Sequence, residues 1–139
     1  MYGDTAAGRK RVAQLREQGG DVRALAARLV SQAEAVPWHG KAADSMRERI
    51  KERADHLRTA AAHHETAADS LARHLSEVDR LKDAIDTRAH KETALVEDAR
   101  TRESETAPGA ESDEAAALLA FDPPQAGHKD WLTLDLPGL

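Results

Sequence analysis

From Lys41 to Ala107 the chain contains neither glycine nor proline, and within that run Ile50, Leu57, His64, Leu71, Val78 and Ile85 recur at every seventh position. No other feature narrows the fold as much. A seven-residue repeat lays these side chains along one stripe of an α-helix, because two turns return the chain to the same face. Ala54, Ala61, Ala68 and Leu75 follow at four-residue offsets, Met46 begins the same face and Leu81 broadens it. The stripe is apolar except at His64, which a seam tolerates as a polar register marker or uses as a pH-sensitive position. A helix running unbroken from 41 to about 103 would extend about 95 Å at 1.5 Å per residue.

Such a helix needs cover, and the upstream sequence supplies some. Asp21 is a natural N-cap, and Val22, Leu25, Leu29 and Val36, with Ala26 and Ala33, fall at helical steps, so a helix is predicted over about 21–35. Residues 4–18 form a separate helical stretch, because Gly19-Gly20 costs roughly 1 kcal/mol per glycine in a helix interior. Pro37 removes a donor and turns Val36 away from the helical region, while Gly40 eases a reversal. The connection is short, which favours two antiparallel helices.

The upstream helix is nevertheless too short. A partner drawn from 21–35 covers only the start of the long helix, and all of 4–36 reaches no farther than the low 70s. Leu71, Leu75, Val78, Leu81 and Ile85 then require another helix, another chain, or a bend near Ser76, where Ser76 and Asp79 offer a capping-box pair. A partner helix is the favoured answer.

Beyond Arg102 the character changes. Pro108-Gly109 lies in a polar, acidic linker, Ser112 is placed to cap a short helix over 113–121, and Pro123-Pro124 ends it. Trp131, Leu132, Leu134 and Leu136 form an apolar tail whose alternation suits a strand, but no second strand is available to pair with it, so it reads as a docking segment. The expected organisation is a helical extension over 1–20, a hairpin over 21–103, and an acidic linker and docking tail over 104–139. The fold class is all-α, with an extended second helix and a largely irregular tail.

Composition agrees. The chain has 139 residues, enough for one modest domain, and its 32% of charged residues with few aromatics suits amphipathic helices better than a packed α/β core. Net charge is -5, and residues 103–139 hold eight acidic residues against one lysine, so no uniform basic face for nucleic acid is expected. Cysteine is absent, which excludes disulfides and thiolate metal sites. No segment has the apolar length of a membrane span, and the first 20 residues lack the apolar core of a cleavable signal peptide.

Candidate chemistry points to binding. His56 and His63 share a face with Glu52 nearby, while His63 and His64 diverge, and no tetrahedral ligand spacing is formed. Glu48 with Glu52, and Asp79 with Asp83, sit at surface spacing without an enclosing cleft, and the serines lack a nucleophile turn. Arg47, Arg49, Lys51 and Arg53 form a basic run interleaved with acids and without stacking aromatics. No catalytic residue, metal site or cofactor is therefore expected. An apolar seam with insufficient intrachain cover calls instead for a helical protein partner.

The connection itself resembles a known arrangement. Trp38-x-Gly40 between two amphipathic helices, preceded by Leu25, Leu29 and Ala33 and followed by Ala42-Ala43, Met46 and Ile50, is similar to the WxG helical-hairpin family. That family is exported by type VII secretion systems of actinobacteria and other Gram-positive bacteria, and the match runs from about Asp21 to Leu75. The resemblance implies a hairpin that forms a homo- or heterodimer through a four-helix bundle, is cytoplasmic before export and is exported folded. It places Trp38 near the partner's helix terminus and gives Gly40 the turn.

Members carry a Tyr-x-x-x-Asp/Glu export signal after the second helix, on one partner. The one tyrosine here is Tyr2, whereas Trp131 and Asp135 keep the interval with an indole in place of the phenol. The long second helix and tail exceed the minimal hairpin. Two roles fit the resemblance: a secreted dimer partner, or an accessory chain whose larger effector covers Leu71 to Ile85 and Trp131 to Leu136. Outside it, the repeat also suits a structural coiled-coil scaffold, and a helical nucleic-acid-binding or toxin-antagonist protein is the third class. The expected partner interface is Met46, Ile50, Leu57, His64, Leu71, Leu75, Val78, Leu81 and Ile85. Trp131, Leu134, Asp135 and Leu136 form the candidate tail docking or export signal.

Overall fold

The computed structural model describes residues 5–105 and 112–139. Tyr2 and the Pro108-Gly109 pair lie outside them. The described residues form three α-helices, α1 (Thr5–Ala35), α2 (Lys41–Glu105) and α3 (Asp113–Ala120), followed by a 3-10 turn over Lys129–Leu132. No strand occurs among them. The described residues group into two compact units, residues 5–76 and residues 77–105 with 112–139, so α2 contributes to both.

In the first unit α1 and residues 41–76 of α2 pack antiparallel: Gly8 lies against Leu75, Gly19 against Ala61, and Arg23 against Glu65. The predicted stop at Gly19-Gly20 does not occur, and Asp21 lies inside α1 rather than capping it. Packing is the reason. Val12, Gly19 and Ala26 are buried at seven-residue spacing on α1 and face the buried Ala54, Ala61 and Ala68 on α2. A methyl group on Gly19 would come within 3.3 Å of the Ala61 carbonyl oxygen. Small side chains let the two backbones approach closely, and this tight packing offsets the modest helix penalty of glycine.

The centre of this contact is therefore the alanine series, not the larger Ile50, Leu57, His64 and Leu71, which stay half-buried along its edge. Because α1 begins at Thr5, the first unit carries cover as far as Leu75, beyond what a helix over 21–35 would reach. Helix α2 passes through Ser76 without interruption, so the capping pair there is not used.

In the second unit residues 77–105 are covered by the C-terminal segment. Ser112 caps α3 as expected, its hydroxyl accepting from the Ala115 N–H at 3.1 Å. Ala115 and Leu118 then pack on Ala99, joined by Leu95, Leu119 and Leu136. The WLTLDL alternation forms no strand. It begins inside the 3-10 turn, where the His128 side chain accepts from the Asp130 N–H.

Candidate functional site

The reversal between α1 and α2 is held by one arginine. The Trp38 N–H donates to the Val36 carbonyl at 2.8 Å, and Gly40 takes a φ of +104°, a conformation that favours glycine. Arg47, nearly two turns into α2, then donates to the carbonyls of Ala33 at 3.4 Å, Val36 at 2.9 Å and Trp38 at 2.7 Å. These include carbonyls left without helical partners where α1 ends, so Arg47 acts as a side-chain cap reaching across the pair. In sequence it sits unmarked in a basic run. Trp38 itself is 53% exposed and lines a recess with Ala33, Val36, Ala43, Met46 and Ile50.

The alanine centre of the contact fixes what lies on either side. In two antiparallel helices, positions three after and one before the central series share one side of the pair, while positions one and four after it share the other. The first side carries Leu15, Val22, Leu29 and Val36 from α1 with Ile50, Leu57, His64 and Leu71 from α2, all half-buried. Leu25 and Met46 lie there too, 43% and 38% exposed. With Trp38 they are the exposed large apolar residues of the described chain, and they fall on one side.

The opposite side is polar and closed by ion pairs. Arg23 makes a bidentate pair with Glu65 at 2.7 and 2.9 Å, Arg16 meets Asp69 at 3.3 Å, and Arg58 meets Asp55 at 2.8 Å. The hydrogen bonds that Arg23 donates hold the Glu65 carboxyl below its usual range, and the same bonds to the carboxylate raise Arg23. Both groups are solvent-exposed, so the pairs set register more than they stabilise. The helix pair thus has an open apolar face and a closed polar one.

The remaining expected interface residues lie elsewhere. Leu75 packs on Gly8 within the first unit, and Val78 and Leu81 are half-buried in the second. Ile85 is 3% exposed within its own chain and lines a recess with Lys82 and residues 125–128. The tail also docks internally. Trp131 is 3% exposed, its indole N–H donates to the Gln125 carbonyl at 3.0 Å, and Arg88 donates to the carbonyls of Trp131 and Leu134. Leu134 and Leu136 are half-buried and Asp135 is exposed, so Trp131 and Asp135 do not present a joint surface.

Other chemistry finds no constellation among the described residues. No three His, Asp or Glu side chains gather around a common point where a metal would sit, and His64 instead bonds through Nδ1 to the Ala60 carbonyl at 2.9 Å. No helix there is long and apolar enough to cross a membrane. Comparison with protein families, characterised proteins and solved structures finds no match to this chain.

Proposed function

We propose that this chain is a non-enzymatic helical interaction protein whose open face receives a helical partner, in the manner of the WxG-like proteins associated with type VII secretion. One observation carries the binding reading: Leu25, Trp38 and Met46 stand exposed on the same side as a continuous line of half-buried apolar residues. A two-helix unit that spends its small residues on internal contact leaves its large ones for another surface. Trp38 and Gly40 at the reversal support the secretion-associated assignment, as does the antiparallel pairing around them. The buried Trp131 favours an accessory or dimer-partner role over one in which the tail carries the export signal.

Purification alone and together with proteins encoded beside it, followed by light scattering, tests the reading. A stable complex with one neighbour is expected, and Trp38→Ala weakens it about tenfold while leaving helix content unchanged. A folded monomer that ignores every neighbour, or a complex indifferent to Trp38→Ala and Leu57→Glu together, overturns it.

A further inference from the structure

The charges of the first unit are sorted by face. On the open side stand Arg11 and Arg53, one position before the central series, and at its outer edge, two positions after that series, stand Arg28 and Arg49 against one carboxylate, Asp21. Of the unit's other eight described carboxylates, six occupy the closed side and two, Glu17 and Glu52, stand two positions before the central series at that side's outer edge. The pairing follows the same division. On the closed face Arg16, Arg23 and Arg58 hold acidic partners, whereas Arg28, Arg49 and Arg53 have no ion-pair partner among the described residues and project into solvent. An apolar stripe edged by unpaired guanidinium groups presents a positive rim with no internal use for it.

We infer that the open face is built for an amphipathic helix of another protein whose apolar stripe is flanked by carboxylates. This rests on the binding reading above and adds the partner's chemistry. Carboxylates along the partner's flanks would find bidentate donors in Arg49 and Arg53, which fix register and speed encounter as well as adding affinity. A second copy fits less well. A two-fold contact between two open faces would bring basic rims together, and like charges so placed oppose docking.

Two synthetic peptides of about four heptads, each with leucine at both seam positions, provide the probe; one has glutamate at the flanking positions and the other lysine. Like-charged flanks keep each peptide from pairing with itself. Titrated against the full chain by fluorescence anisotropy, the glutamate peptide is expected to bind at least about tenfold more tightly than the lysine peptide, with the gap narrowing as salt screens the rim. Arg49→Glu with Arg53→Glu reduces binding of the glutamate peptide about tenfold and improves that of the lysine peptide, whereas Lys51→Glu on the closed face changes neither. Circular dichroism confirms that each variant stays helical.

Equal binding of both peptides, or binding of neither, overturns the inference. So does a stable homodimer, seen by light scattering, that excludes the peptides, since the occupant is then a second copy. Capture by vesicles of anionic phosphatidylglycerol in place of either peptide also overturns it, assigning the rim to a membrane surface. A native complex that depends on Trp38 but not on Arg49 and Arg53 sinks the charge assignment alone and leaves the binding reading standing.

Discussion

Helix α2 carries one heptad series from Ala43 to Ala99, and the chain covers its two halves by different means. In residues 41–76 the cover is another helix, and burial centres on Ala54, Ala61 and Ala68 while Ile50, Leu57, His64 and Leu71 remain at the edge. In residues 77–105 the cover is a segment with one short helix and one 3-10 turn, and burial centres on Ile85, Glu92 and Ala99, which continue the Ile50 series. A helix approaches along a stripe of small residues and leaves its larger neighbours to the side. An irregular peptide settles directly on the larger stripe and supplies its own anchor, Trp131. The first arrangement leaves a face open, and the second uses that stripe internally.

The sharpest way to break the comparison is to remove the anchor. Trp131→Ala empties the site of a buried indole, a change that costs about 3–5 kcal/mol at a well-packed position. The expected effect is confined to the second unit: hydrogen exchange in residues 125–139 accelerates strongly, while exchange in α1 stays at its wild-type rate. Uniform loss of protection in both units would mean that the tail is no local cover but part of a single cooperative structure.

The alanine stripe makes the opposite prediction. Ala61 is fully buried with its carbonyl close to Gly19, so Ala61→Leu forces the helices apart and destabilises the first unit by about 1–3 kcal/mol. Denaturant melting followed by circular dichroism measures the loss. The same exchange at Leu57 in reverse, Leu57→Ala, removes a half-exposed side chain and should cost less. If Leu57→Ala proves the more damaging, the centre of the contact lies on the larger series and the open face is not open.

Much of this architecture is legible in the order of residues alone. The absence of glycine and proline marks the extent of α2 to within two residues of its end, Pro37 and Gly40 place the reversal, and Ser112 places α3. The candidate interface is legible in part, since Ile50, Leu57, His64 and Leu71 do share a face. Their role at the edge is not, because a heptad pattern with alanine at one position and leucine at another does not say which stripe faces the partner. That decision requires the matching small series Val12, Gly19 and Ala26 on α1, which the apparent stop at Gly19-Gly20 conceals. Arg47 and Arg88 are hidden for another reason: their acceptors are backbone carbonyls, which every residue carries. The sorting of unpaired arginines likewise emerges only once the centre is known.

The glycine pair offers the finest test, because the two residues are adjacent and differ only in what they face. Nothing lies within 4 Å of a methyl group built on Gly20, so Gly20→Ala gains helix propensity without contact and stabilises the first unit by about 0.5–1 kcal/mol. At Gly19 the same methyl group meets the Ala61 carbonyl oxygen at 3.3 Å, tighter than ordinary packing, with the Glu65 and His64 side chains just beyond. Backbone cannot swing aside as a flexible side chain can, so the propensity gain there is offset by a small separation of the helices. Thermal melting of the two variants side by side should show Gly20→Ala as the more stable by a few tenths to about 1 kcal/mol. Equal gains would show that α1 and α2 have room to spare at Gly19, and that the alanine stripe permits the contact without being what draws the helices together.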